Sequence, residues 1–129
     1  MGRHPVCRVS ELPPGSRRIF EVAGRSVGVF NVGGRFYALR NRCPHQGGPL
    51  CLGRVSGLVL AGEPGEHAYA EGVPVLRCPW HGWEFDMRTG KAIVDPEKTR
   101  VRAYRVTVEP PRAETYPVSV EDQVVYVHL

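Results

Sequence analysis

A chain of 129 residues that is 42% hydrophobic reads as one globular domain, long enough to bury a core without many staples. Its formal charge of +4 rests mostly on scattered arginines, with no basic stripe interleaved with aromatics. This argues against nucleic-acid binding and leaves either a solvated surface or a docking face for an acidic redox partner. No run of eighteen apolar residues and no apolar N-terminal stretch occurs, so neither a membrane span nor a secretory signal is expected, and the expected location is the cytoplasm.

The 15 glycines and 12 prolines recur between short apolar runs, which predicts an all-β fold. Residues 17–24, 25–34 and 35–41 read as three short strands separated by Ala23-Gly24 and Gly33-Gly34, with Val27 and Val29 alternating against Gly28, Phe30 and Val32. Two Gly-bounded apolar runs then flank residues 61–72, predicting an extended hairpin or loop over about 54–74. Thr89-Gly90 marks a turn between two further strands. In residues 99–110 Tyr104, Val106 and Val108 share one face, and the tail closes with two strands around Glu121-Asp122-Gln123. These regular short strands predict a small antiparallel sandwich or barrel, a single domain over 1–129.

Two loops carry the chemistry. Cys43-Pro44-His45-Gln46-Gly47-Gly48 supplies one cysteine and one histidine, and Cys78-Pro79-Trp80-His81-Gly82-Trp83 supplies another pair. Thiolate with imidazole suits zinc or iron, whereas calcium and magnesium want oxygen. Structural zinc more often takes like residues at knuckle spacing, and Cys43-Pro-His45 is tight for a knuckle, yet a zinc-stabilised interaction module is one reading. Another makes the cysteines plain core residues, which leaves the matched Pro and Gly partners of both loops without a reason. Trp80, Trp83 and Phe85 read as core aromatics or as a shell that keeps water off a metal. His67 reads as an exposed loop histidine or as a docking residue, and His4 and His128 carry no assignable role.

The pattern Cys-x-His…Cys-x-x-His, with its Pro, Gly and Trp83-Glu84-Phe85-Asp86 context, closely resembles that of Rieske-type [2Fe–2S] proteins, and the flanking strands resemble that family's scaffold. The resemblance implies a Rieske-like antiparallel β-sandwich or barrel with a small cluster-binding subdomain of two loops, about 41–91. It implies one [2Fe–2S] cluster per chain, with Cys43 and Cys78 on one iron and His45 and His81 on the other. Two ferric ions, two sulfides and two thiolates sum to no net charge, so such centres lie at about −150 to +300 mV against about −400 mV for plant-type ferredoxins. Imidazole edges at the surface would be the electron exit and would couple reduction to protonation. A potential that falls as pH is raised well above neutral is therefore expected; a flat redox titration through alkaline pH would contradict exposed histidine ligands.

High-potential respiratory members carry an extra disulfide between the two loops. Here Trp80 and Gly48 stand at those positions, and Cys51 has no partner cysteine in the second loop. This points to the ferredoxin-like branch, with Cys7 and Cys51 most simply thiols and a bridge between them left open. The expected role is one-electron transfer from a reductase donor to an oxygenase or similar acceptor, the chain not being an enzyme by itself. The alternative is a small Rieske subunit of a larger oxidoreductase, resembling that of nitrite reductase. An oxygenase in its own right would need a further domain holding mononuclear iron, for which the chain has no room.

Overall fold

Ala23 and Gly24 carry φ of 49° and 81°, and Gly33 and Gly34 carry 60° and 94°. Positive φ at both central residues gives turns whose twist matches right-handed strands, so each pair closes a tight hairpin. The structure is a computed structural model that describes residues 2–44, 46–58, 73–80, 82–110 and 123–129. Among them run β1 (Arg3–Arg8), β2 (Arg17–Val22), β3 (Arg25–Val32), β4 (Arg35–Arg40), β5 (Arg54–Leu58), β6 (Val73–Arg77), β7 (Glu84–Asp86), β8 (Ala103–Glu109) and β9 (Val124–His128), with single 3-10 turns at Val9–Glu11 and Leu50–Leu52. No helix among the described residues is long and apolar enough to cross a membrane.

The chain divides into two compact units, Met1–Ala38 with Tyr104–Leu129, and Leu39–Ala103. A six-stranded sheet in the order β1-β9-β8-β4-β3-β2 forms the first, and its edge strands β1 and β2 approach each other so that it nearly closes. Its core gathers Leu12, Val22, Val27, Val29, Val125 and Val127, with Val106 and Val108 packed against it. The alternation read for β3 holds for Val27 and Val29. Phe30 on the opposite face is buried as well, with the Arg17 guanidinium 5.3 Å from its ring centroid.

β1 escaped the sequence reading. Pro5 interrupts it, the register against β9 slips between Pro5 and Cys7, and one of its half-buried positions is a histidine. These are features that mask a period of two. Cys7 ends up in the core, where burial and, next, the Glu11 carboxylate push its thiol up, so it stays protonated at neutral pH.

His128 lies opposite Arg3 on one neighbouring strand and Arg105 on the other. Its Nε2 is 2.7 Å from Thr107 Oγ1, which donates to Glu109, itself paired with Arg3. Desolvation, then Arg105 and Arg3, lower its pKa from 6.5. A depressed histidine contributes stability that is present above the unfolded value and lost as pH falls through the folded one. Lowering the pH from 7.5 to 5 should therefore reduce the melting temperature of the parent more than that of His128→Gln; parallel curves would contradict it.

The second unit holds a three-stranded antiparallel sheet, β5-β6-β7. β5 and β6 pair antiparallel from Arg54↔Arg77 to Leu58↔Val73 within the segment where a hairpin or loop is expected; residues 59–72 between them lie outside the described residues. The strand expected after Thr89-Gly90 is only a pair of isolated bridges, Phe85↔Ala92 and Lys91↔Arg100. Gly90, at φ 81°, accepts from Val101, whose carbonyl stands 2.0 Å from where a Cβ would be, so this segment bends around a close backbone approach instead of extending. Of the two closing strands in the tail, β9 is present; the other falls in residues 111–122, outside the described residues.

Candidate metal centre

The two Cys-Pro loops share one backbone design. Cys43 donates to the Gly48 carbonyl (2.8 Å), and Gly47 donates back to the Cys43 carbonyl (2.7 Å). In the second loop Cys78 donates to Trp83 (2.7 Å) and Gly82 donates back to Cys78 (3.0 Å), which is the same pair of bonds at the same offsets. Gly47 and Gly82 make the closure possible, since both sit in the left-handed region, at φ 76° and 74°. Pro44 and Pro79, directly after each cysteine, fix φ where the sulfur leaves the chain.

On this correspondence Cys43 matches Cys78 and Gly47 matches Gly82, but His45 matches Trp80 and Gln46 matches His81. Like turns thus carry their histidines one position apart. His45 and His81 themselves lie outside the described residues.

The loops pack on each other. A Cβ at Gly48 would stand 2.8 Å from Trp80 Cδ2 and 3.0 Å from its Cγ, so the indole lies flat on the glycine. Gly53, just past the first loop, fits against the backbone carbonyl of Arg77, just before the second. Cys43 and Cys78 are both 2% exposed, while Pro44, Gln46 and Pro79 are exposed around them.

Trp80 corrects one sequence reading. It is 56% exposed and serves as a surface plate over Gly48, not as a core aromatic; Phe85 is fully buried and Trp83 half-buried. The contact occupies the place where respiratory relatives were expected to carry a disulfide. Gly48→Ala should cost about 1–3 kcal/mol, because Cγ is too near the root of the side chain to yield. In a Trp80→Ala background the same change should cost little. Equal losses in both backgrounds, read by denaturant titration, would contradict the packing.

No disulfide joins the four cysteines, all buried and all among the described residues. Cys51 donates its thiol to the Leu39 carbonyl (3.3 Å), and its amide donates to Asn41 Oδ1, which holds it as a structural residue behind the first loop. This separates Cys51 and the core residue Cys7 from the pair on the loops. Two buried thiols on matched, stiffened turns suit a soft metal or an iron–sulfur unit, and so the residues present fit an Fe–S cluster.

Two arginines escaped the sequence reading. Arg42 and Arg77 each precede a loop cysteine, and their guanidiniums fold onto Gly47 and Gly82, within 3.5 and 2.9 Å of where Cβ atoms would be. The repeated triplet Arg-Cys-Pro was the available signal.

Comparison with known proteins agrees with this geometry. The Rieske [2Fe-2S] domain profile matches residues 2–105. The chain is 30% identical over 109 residues to the 3-phenylpropionate/cinnamic acid dioxygenase ferredoxin subunit of Escherichia coli (strain K12), covering 84% of this chain and 88% of that protein. It is 32% identical over 104 residues to apoptosis-inducing factor 3 of Mus musculus, but there it spans 81% of itself and only 14% of the relative. Among solved structures it resembles the ferredoxin of carbazole 1,9a-dioxygenase from Nocardioides aromaticivorans IC177, with 27% identity, 98% and 97% coverage and a TM-score of 0.66. A carbazole 1,9a-dioxygenase ferredoxin solved in complex with reduced oxygenase is similar at 26% identity, 98% and 92% coverage and a TM-score of 0.63. The nitrite reductase small subunit from Mycobacterium tuberculosis shares the fold, with a TM-score of 0.74, 19% identity and coverage of 98% and 94%. The chain therefore belongs to the Rieske [2Fe–2S] domain family, and one [2Fe–2S] cluster is the cofactor that membership implies.

Proposed function

We propose that this protein carries single electrons in the cytoplasm, from a reductase to an oxygenase or similar acceptor, and is not an enzyme by itself. Residues 1–129 act as one Rieske domain, with about 41–91 as its cluster-binding part. The observation that carries this reading is the pair of matching loops, each presenting one buried cysteine followed by an exposed proline, with Gln46 exposed in the first loop and Trp80 in the second. Cys43 and Cys78 would hold one iron through their thiolates, and His45 and His81 the other through neutral imidazoles.

The cluster supplies a centre that gains and loses one electron with no bond made or broken. The protein's part is to hold it still. Pro44 and Pro79 limit backbone motion at the sulfurs, and two paired turn bonds close each loop. Burial of both cysteines keeps water from the thiolates, and Trp80 on Gly48 clamps the loops without a covalent bridge. The ferredoxin relatives at 30% and 27% identity support a carrier. The fold shared with a nitrite reductase small subunit supports a second reading, a Rieske subunit of a larger oxidoreductase.

Purification separates the two. Expressed alone, a carrier should be recovered as a brown holoprotein that takes up one electron per chain from dithionite. A chain recovered only together with a larger partner would favour the subunit, and a colourless zinc protein would overturn both.

A further inference from the structure

We propose that the face around the two loops is a cationic docking site for a partner whose contact surface carries carboxylates, with Arg42 and Arg77 as its fixed charges. The proposal rests on the reading above, in which electrons leave at these loops, and it names the chemistry of the partner that meets them.

Four observations carry it. First, the arginines occupy equivalent places, each one residue before a loop cysteine and each folded onto the left-handed glycine four residues after that cysteine. A guanidinium held against backbone surrenders less freedom on binding than a solvated one. Second, both side chains are exposed, and neither is in an ion pair among the described residues.

Third, exposed apolar side chains accompany the charges. Pro44 and Pro79 are exposed, Trp80 is 56% exposed, Leu52 beside Gly53 is 63% exposed, and Val94, 69% exposed, lines a recess with Gly82, Trp83 and Glu84. Of the exposed large apolar side chains among the described residues, only Ile19 lies in the other unit. An apolar centre with a charged rim is the anatomy of a protein interface. Fourth, the sign around Arg77 is positive. Arg77 is flanked across its strands by Arg54 and Glu84, so one carboxylate faces two guanidiniums, and Asp86 is engaged by Arg88. Glu63, Glu66 and Glu71 belong to residues 59–72, outside the described residues.

Such a field steers encounter and is screened by salt, raising on-rates by roughly 10- to 1,000-fold across whole interfaces. Small ions can read it without the natural partner. The reduced holoprotein would be oxidised by hexacyanoferrate(III), one electron leaving the protein to give hexacyanoferrate(II) with no atom transferred, or by the cation tris(phenanthroline)cobalt(III). The parent should react faster with the anion at low ionic strength and lose that advantage as salt rises. Arg42→Gln/Arg77→Gln should slow the anionic reaction by about three- to tenfold at low salt and flatten its salt slope, while Arg42→Lys/Arg77→Lys should retain most of both.

Binding gives a second readout that needs no electron transfer. The redox-inert paramagnet hexacyanochromate(III) should broaden the Trp80 indole N–H resonance in the parent and not in the double glutamine variant. Because this binding requires no iron, a chain lacking the cluster would sink the electron-transfer reading while leaving the docking site open to test. A parent with no preference for the anion, a preference for the cation, or broadening confined to residues remote from both loops would overturn the docking site.

Discussion

Gly53→Ala is expected to destabilise the protein by about 3 kcal/mol or more and to strip most of the iron from what folds. Gly53 is buried and its φ of −76° suits any residue, so the obstacle is space and not conformation. A Cβ there would lie 1.8 Å from the Arg77 carbonyl oxygen and 3.0 Å from that of Leu50, both backbone atoms with no rotamer to change. Relief requires moving β5 away from β6 at Arg54↔Arg77, the residue pair that immediately precedes Cys78. Gly57→Ala, four residues on and inside β5, where nothing lies within 4 Å, should cost less than about 0.5 kcal/mol. Denaturant titration of both variants, with iron counted per chain, checks the pair; equal losses would show that the close approach at Gly53 carries no weight.

Cys43→Ser and Cys78→Ser should each abolish the cluster, iron falling from about two atoms per chain to near zero, because a serine hydroxyl does not supply the thiolate the centre needs. Cys51→Ser should keep its iron. Its hydroxyl can still donate to the Leu39 carbonyl, the bond that fixes Cys51 behind the loop. Cys7→Ser should likewise retain the cluster, at the cost of a polar group in the core of the other unit. Metal binding and folding are linked, so the two iron-free variants should also melt lower than the holoprotein. Iron analysis and visible absorbance decide the matter, and a cluster lost with Cys51 but kept without Cys43 would reverse the assignment.

Much of this was legible because the strongest signals were local. Two-residue turns with glycine need only two φ angles to be right, and so β2, β3 and β4 were placed to within a few residues. The loops were legible for the same reason, as cysteine, proline and glycine at fixed offsets leave few backbone solutions. What escaped depended on partners distant in sequence. β1 exists because β9 pairs with it, and Pro5, the slipped register and His4 hide its alternation. Trp80 looked like a core residue because its size favours burial; a bare glycine in the other loop gives it a flat surface to cover while more than half exposed. Arg42 and Arg77 were lost among the many arginines, since only the fold shows that their guanidiniums return to their own loops.

The proposed electron transfer turns on one cluster held by two cysteines and two histidines, and nitrogen hyperfine spectroscopy on the dithionite-reduced protein tests that most directly. With iron and sulfide quantified, two of each per chain, a rhombic EPR signal and couplings from two imidazole nitrogens, lost one at a time in His45→Cys and His81→Cys, are the predicted result. Stoichiometric zinc with no EPR signal, or an iron–sulfur signal with no nitrogen coupling, would contradict it.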